Sequence, residues 1–200
     1  MSLMPASDRV ISRRPGVKLT YDDFLLFPDD GLRHELIDGE HYVTPSPNLD
    51  HQRISGRLYL AIGNYLQAHP TGEIVYAPFD VVFSRHDVVE PDLLYLSNER
   101  ASRVVTQTSV QGAPNLIIEI LSKSTRRRDR TIKQRLYERS AVDEYWMVDP
   151  VTASIRILRQ RAGRFAAAAD LRADAGDVLT TPLLPEFTVP LAEIFATPRR

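Results

Sequence analysis

The sequence contains no cysteine, which excludes disulfide bonds and zinc sites built from thiolates. It also lacks an apolar run of about 18 residues, the length that a membrane-spanning helix needs. Arg13 and Arg14 lie near the amino terminus, but no apolar segment stands beside them, so a secretory signal peptide is not indicated. We therefore expect a cytoplasmic protein with no membrane association.

A large excess of charge of one sign is also missing, since 25 basic and 26 acidic residues give a formal net charge of −1. Proteins that coat nucleic acid along their whole surface are strongly basic, so any nucleic-acid binding must depend on a local patch. Between Ser122 and Arg139, eight basic residues accompany only two acidic ones. A solvated helix face is the ordinary explanation of such a run, and a nucleic-acid contact is the alternative.

The chain has 200 residues, of which 43% are hydrophobic, and this composition suits one compact domain with a real core. No shift in composition marks a second domain. We expect residues 1–19 to form a mobile amino-terminal tail and residues 20–196 to form the single domain.

Capping residues, turn residues and hydrophobic periodicity predict alternating helices and strands. Proline removes a hydrogen-bond donor from a strand, so Pro91 should distort its strand and aim the following side chain. The predicted elements are a capped helix over residues 20–27, a hairpin turning at Asp38-Gly39, a helix over 50–69 capped by Asp50, strands over 73–84 and 88–96, a buried strand over 115–122, a helix over 125–140 with Ile132, Leu136 and Tyr137 inward, strands over 145–148, 154–158 and 164–170, a proline-rich segment over 182–190 on the surface, and a helical turn over 191–195.

Two carboxylates lie on neighbouring apolar runs. Asp92 follows Pro91, and Glu119 is the one charged residue in a run that is otherwise fit for a strand buried on both faces. An ionised carboxylate in such a place is costly unless a cation or good hydrogen-bond donors meet it. We therefore expect a positive group opposite Glu119.

The order of these residues suits a metal-dependent nuclease. Phosphodiester hydrolysis needs a nucleophilic water and a place for negative charge, and divalent cations held by carboxylates provide both. Mg²⁺ prefers oxygen ligands and keeps several waters, so Asp92, Glu119 and the main-chain carbonyl of Ile120 would suffice to hold Mg²⁺ or Mn²⁺. Lys133, on the basic helix that follows, is the candidate for activating water or steadying the developing charge.

A series of short motifs runs along the chain. They are HELIDGE at residues 34–40, PSP at 45–47, HQRI at 51–54, PDLL at 91–94, GAP at 112–114, IEILS at 118–122, Asp129 with Lys133 and Tyr137, and EYWMVDP at 144–150. In these motifs the chain resembles the Uma-two family of restriction endonucleases, which belongs to the PD-(D/E)XK nuclease superfamily. The resemblance spans residues 20–195 and implies an α/β, restriction-endonuclease-like core, in which a mixed β-sheet is flanked by helices.

The resemblance implies roles for particular residues. Asp92 and Glu119 match the two motif acids, and Glu35 matches an additional acid that assists or binds a second ion. The superfamily pattern places a lysine two residues after the second acid, but this chain has Leu121 there. In similar nucleases the amine then comes from the following helix, which points to Lys133, with Lys123 as the rival on a loop.

Several other residues have both a structural and a functional interpretation. His51 at a helix start is more often a capping or packing residue than a phosphate contact, and Tyr137 more often packs than reacts. The basic residues that could contact phosphate would set affinity and salt sensitivity without reading sequence. These candidate nucleic-acid contacts are Lys123, Arg126, Arg127, Arg128 and Arg130.

The leading hypothesis is a Mg²⁺- or Mn²⁺-dependent endonuclease that hydrolyses DNA phosphodiester bonds, acts as a homodimer and needs no small-molecule cofactor. One alternative is a catalytically degenerate nucleic-acid-binding module with the same fold, which the missing lysine at Leu121 keeps open. Another is a structural protein whose carboxylates serve internal salt bridges. A direct Arg or Lys pair to both Asp92 and Glu119 would support this last interpretation.

Overall fold

A computed structural model describes residues 17–28 and 30–196. Most of the predicted tail, residues 1–16, lies outside the described residues. Leu19 is buried, and its N–H donates to the carbonyl of Gly39 at 3.0 Å. The packed part of the chain therefore includes Leu19, within the segment predicted as tail.

The fold is a mixed α/β arrangement of three sheets with helices against them. The strands are β1 (Arg33–Ile37), β2 (Glu40–Thr44), β3 (Gly72–Tyr76), β4 (Asp80–Ser84), β5 (Asp87–Val89), β6 (Leu93–Ser97), β7 (Ser109–Gln111), β8 (Leu116–Ile120), β9 (Glu144–Asp149), β10 (Ser154–Arg161), β11 (Arg164–Arg172), β12 (Val178–Thr181) and β13 (Leu184–Pro190). The helices are α1 (Tyr21–Phe24), α2 (Leu49–Ala68), α3 (Asn98–Val104), α4 (Arg126–Arg128), α5 (Gln134–Arg139) and α6 (Leu191–Phe195), with a π-helical turn (Asp129–Lys133) joining α4 to α5 and a 3₁₀ turn at Ala173–Ala175.

The larger sheet has the order β11-β10-β9-β8-β6-β3, and the second has the order β2-β1-β5-β4-β7. The central strand β8 pairs in parallel with β9 and antiparallel with β6. All five residues of β8 are buried, as the continuous apolar run predicted. The helix α2 packs its apolar stripe on one face of the larger sheet, around Leu58, Ile62 and Trp146.

The two long strands predicted over residues 73–84 and 88–96 are each divided between the two sheets. Pro78 lies between β3 and β4, and Pro91 lies between β5 and β6. Because proline cannot donate to a strand ladder, each is a natural point for the chain to leave one sheet and enter the other. The second crossing places residues 90–92 where the two sheets meet.

The helix predicted over residues 125–140 is present but is not regular. The π-helical turn contains Lys133, which is buried, whereas Ile132 is 38% exposed. The prediction that Ile132 points inward is therefore wrong, because the wider turn rotates the helix face. Leu136 and Tyr137 are buried as predicted.

Three further details differ from the sequence predictions. The capping box of Thr20 with Asp23 is confirmed, but the helix ends at Phe24, earlier than residue 27. The cap of α2 is Asn48, whose Oδ1 accepts from the N–H of His51 at 2.9 Å. The exposed Asp50, predicted as the cap, is the second residue of the helix. The proline-rich segment does not stay on the surface: it supplies the turn and the second strand, β13, of the hairpin β12-β13, and its residues Leu184 and Phe187 are buried in the core.

The described helices include none that has both the length and the apolar content needed to cross a membrane.

Candidate active site

Asp92 and Glu119 are brought together by the pairing of β6 with β8. The antiparallel register joins Leu93 to Ile118, so the residues one step further along, Asp92 and Glu119, are neighbours. The backbone N–H of Ile120 donates to Asp92 Oδ2 at 2.8 Å. Both carboxylates are buried, with relative exposures of 5% and 4%.

Two side chains outside β6 hold the Asp92 carboxylate. Arg33 donates from a guanidinium nitrogen to Oδ1 at 2.8 Å, and His51 donates from Nε2 to Oδ2 at 3.1 Å. Burial alone would raise the pKa of Asp92, but the hydrogen bonds and charges of His51 and Arg33 outweigh it and lower the pKa to about 2. Asp92 is therefore a carboxylate at neutral pH.

The ammonium of Lys133 bridges two acids from different sheets. Its Nζ lies 2.7 Å from Glu35 Oε1 and 2.8 Å from Glu119 Oε1. Tyr137, one turn further along the helix, donates its hydroxyl to the same oxygen of Glu119 at 2.6 Å. Lys133 is thus the positive group expected opposite Glu119.

The π-helical turn explains how a second cation reaches Glu35. Arg128 and Lys133 are five residues apart, and in a regular α-helix such residues point about 140° away from each other. Here both are buried, and Arg128 lies 3.4 Å from Glu35 Oε2. Arg128 also donates to Thr44 Oγ1 at 2.6 Å.

The acids of this cluster differ in their affinity for protons. Burial opposes ionisation of Glu35, but the charges of Lys133 and Arg128 outweigh it and lower its pKa. Burial dominates at Glu119 and raises its pKa to about 8, and it raises the pKa of Asp129 to about 6. The pKa of Lys133 is raised because the surrounding carboxylates outweigh the effect of burial, so this residue stays an ammonium.

These residues line one open cavity of about 800 Å³. Among the described residues no donor is hydrogen-bonded to Glu119 Oε2, and the buried Oε2 of Glu35 and Oδ1 of Asp129 also accept no hydrogen bond. The acids of the cluster therefore keep oxygen atoms that the protein's own donors do not satisfy.

The predicted nucleic-acid contacts occupy three kinds of position. Lys123 and Arg127 are exposed, and Lys123 lines the cavity. Arg126 and Arg130 are both ion-paired with Asp149, at 2.6 and 3.1 Å. Arg128 is buried at Glu35, as described above.

The sequence interpretation undervalued three residues of the site. Arg33 is the first residue of β1, and an arginine at a strand end carries no functional signal of its own in the sequence. His51 and Tyr137 were read as a capping or packing residue and a packing residue, yet each hydrogen-bonds a candidate metal ligand. For Tyr137 the sequence did contain a usable signal. It lies four residues after Lys133 and so shares the same helix face.

The oxygen donors of this site could hold a hard divalent cation if water molecules complete its coordination. The described residues contain no group of three or more His, Asp or Glu side chains arranged to hold a metal ion. A site with two carboxylates, Asp92 and Glu119, and the carbonyl of Ile120 needs no third side chain when waters complete the coordination. An all-oxygen donor set, and an Oε2 of Glu119 to which no described residue donates, are compatible with Mg²⁺ or Mn²⁺.

The pairing of both acids with cations also matches the structural interpretation given above. Arg33 is ion-paired with Asp92, and Lys133 with Glu119. These ion pairs alone therefore do not distinguish an active site from a set of internal salt bridges.

Comparisons with known proteins bear on the fold and the family. A putative nuclease of the DUF820 group from Anabaena variabilis, known from a crystal structure, has 18% sequence identity and a TM-score of 0.75, over 89% of this chain and 98% of that one. This likeness shows a shared, restriction-endonuclease-like fold. No curated protein matches the sequence. The sequence profile of the Uma2 family, described as "Putative restriction endonuclease", matches residues 21–192, and the chain therefore belongs to the Uma2 family.

Proposed function

We propose that this protein is a Mg²⁺- or Mn²⁺-dependent endodeoxyribonuclease that hydrolyses DNA phosphodiester bonds in the cytoplasm. The observation that carries the proposal is the convergence of Glu35, Asp92, Glu119 and Lys133 on the wall of one open cavity. Sets of internal salt bridges normally satisfy their buried oxygens with hydrogen bonds, whereas Glu35 Oε2 and Asp129 Oδ1 accept none, and the cations that face them lie 3.4 and 4.0 Å away. That difference favours an active site over a purely structural role.

Asp92, Glu119 and the carbonyl of Ile120 would hold the ion, and Glu35 would assist or hold a second one. When bound, such an ion supplies positive charge that favours ionisation of water and neutralises phosphate oxygens. Arg33 and His51 fix the orientation of Asp92, and Tyr137 fixes one oxygen of Glu119.

Lys133 would contribute as a charged donor. Since its pKa is raised, it keeps its proton at neutral pH and orients water or stabilises phosphate charge through N–H groups. Leu121, at the position where the superfamily has a lysine, is buried in apolar surroundings and has no such role. The loss of that lysine therefore does not by itself favour the degenerate binding module.

We further propose a homodimer, because cutting both strands of a duplex favours two active sites related by a two-fold axis. The exposed Lys123 and Arg127 are the candidates for contacts to phosphate in each copy.

The test is nicking of supercoiled plasmid by wild type, Glu119→Gln and Glu193→Gln, each with Mg²⁺, Mn²⁺ or a chelator. Glu119→Gln should lose at least about a hundred-fold in rate, because it replaces a carboxyl group that a bound cation would ionise with an amide that stays neutral. Glu193 is exposed on α6, away from the cavity, so its variant is the matched control. Equal rates in wild type and Glu119→Gln would refute the assignment.

A further inference from the structure

A second cavity of about 710 Å³ continues from the candidate active site. The two cavities share Arg33, His51 and Asp92 in their walls. A ligand held at Asp92 can therefore extend in either direction, and the chemistry of the second cavity indicates which part of it would enter there.

One wall of the second cavity is a face of α2. His51, Ser55 and Tyr59 are spaced four residues apart, so they follow one another along the same side of the helix. At 1.5 Å per residue, this row extends about 12 Å away from the Asp92 contact. Tyr59 lies at its far end and is packed against the core.

The opposite wall presents a second tyrosine. Tyr76 ends β3 and pairs with Leu93, the residue after Asp92, and the N–H of Ala77 donates to the carbonyl of Asp92 at 3.1 Å. The ring of Tyr76 meets that of Tyr59 edge to face, with centroids 5.1 Å apart and planes at 83°. Tyr76 is nevertheless 59% exposed, so most of its ring is available to a ligand.

The charges of the two cavities differ in kind. The first includes Lys123, Arg128 and Lys133, whereas the described residues that line the second include no lysine and, of the arginines, only Arg33. Arg33 and the two acids of the second cavity, Glu90 and Asp92, lie in walls that it shares with the active site, and its other lining residues are aromatic, prolyl, small apolar or uncharged polar apart from His51. Such a surface cannot neutralise a run of phosphates, but an aromatic ring is a good platform for a nucleobase.

We infer that Tyr76, held by Tyr59, stacks on an unpaired nucleobase next to the scissile phosphate, and that the preferred substrate is DNA with single-stranded nucleotides at the cleavage position. This inference rests on the proposed function and deepens it. A continuous duplex keeps its bases stacked inside the helix and would not place one against Tyr76. A single strand, a frayed end or an extruded nucleotide would.

The test compares binding of a fluorescein-labelled single strand and of the corresponding duplex by fluorescence anisotropy. All proteins in this assay carry Glu119→Gln to prevent cleavage. The parent keeps Tyr76, and the two variants carry Tyr76→Ala or Tyr76→Phe in addition. Tyr76→Ala should weaken single-strand binding about ten-fold, and more than it weakens duplex binding, whereas Tyr76→Phe should keep the affinity because its ring still stacks. Leu60→Ala, which removes an exposed apolar side chain elsewhere on α2, is the control.

The outcomes separate this inference from the proposed function. Nicking by the wild type, together with an equal effect or no effect of Tyr76→Ala on the two DNA forms, would overturn the inference and leave the nuclease proposal standing. Absence of both nicking and DNA binding in the wild type would overturn both. A thermal melt of Tyr76→Ala that matches the parent protein excludes unfolding as the cause of a lost affinity.

Discussion

At the scale of single residues, the site depends on how buried charges are matched. Glu35 and Glu119 arrive from different sheets, and the ammonium of Lys133 lies between them at hydrogen-bond distance from both. A buried charge left without its partner is strongly destabilising. Lys133 therefore holds the two sheets together at this point as well as serving the proposed chemistry.

Replacement of Lys133 by methionine should lower the free energy of unfolding by about 3 kcal/mol, because it leaves the buried Glu119 without its cation and leaves Glu35 with Arg128 alone. Urea denaturation in the presence of a chelator would measure this loss. The double variant Lys133→Met/Glu119→Gln should regain part of it, since an amide replaces the acid that has lost its cation.

The matched control is Lys123→Met, at the rival lysine. Lys123 is exposed and should change the free energy of unfolding by less than about 0.5 kcal/mol. Plasmid nicking would then compare the two lysines directly. A greater loss of nicking in Lys123→Met than in Lys133→Met would transfer the proposed role to Lys123.

At the scale of elements, the start of α2 positions His51, the hydrogen-bond partner of the proposed metal ligand Asp92. Asn48 caps the helix, and the first turn contains His51, which contacts Asp92. The sequence analysis assigned the cap to Asp50, whose side chain is exposed and pairs with Arg53. Asn48 and Asp50, two positions apart, both have side chains that can cap a helix, and residue type alone does not show which one does so. The choice depends on where the chain leaves the preceding hairpin.

Asn48→Ala should therefore destabilise the protein by about 1 kcal/mol through loss of the cap. Asp50→Ala should cost less than about 0.5 kcal/mol, because its ion pair is on the surface. Thermal or urea unfolding of the two variants would measure the difference. A larger effect of Asp50→Ala would contradict the observed helix start.

The π-helical turn is an element that hydrophobic periodicity did not predict. A pattern of apolar residues specifies which positions face the core only if the turn length is constant. Widening one turn brings Arg128 and Lys133 to the same acid and exposes Ile132. Such turns are frequent at functional sites. This one lets both Arg128 and Lys133 contact Glu35, whereas a regular helix would point them in different directions.

At the scale of the whole molecule, the proposed metal site joins the two large sheets. Glu35 belongs to the smaller of them, whereas Glu119 belongs to the larger, and Asp92 lies at the crossing between them. An ion bound only by the folded arrangement stabilises the entire domain by mass action.

Saturating Mg²⁺ or Mn²⁺ should therefore raise the melting temperature of the wild type. Binding at a hundred times the dissociation constant contributes about 2.7 kcal/mol, which corresponds to a shift of about 5–10 °C for a domain of this size. Differential scanning fluorimetry would show it, and a chelator should reverse it. The same shift in Glu119→Gln would place the ion elsewhere.

The sequence by itself determined the elements that local chemistry controls. The capping box at Thr20, the hairpin at Asp38-Gly39 and the buried strand with Glu119 each follow from residue types within a few positions. The family motifs identified the fold and nominated Glu35, Asp92, Glu119 and Lys133 together.

The tertiary structure decided everything that depends on strands meeting across the chain. Only the register of β6 with β8 makes Asp92 a neighbour of Glu119, and only the packing of α2 brings His51 to Asp92. The division of the predicted strands at Pro78 and Pro91 is a further example. A proline interrupts strand pairing through its own chemistry, but the sheet that the chain enters afterwards depends on contacts with distant strands. Long-range pairing and buried charge are properties of the folded arrangement, and residue order alone does not contain their geometry.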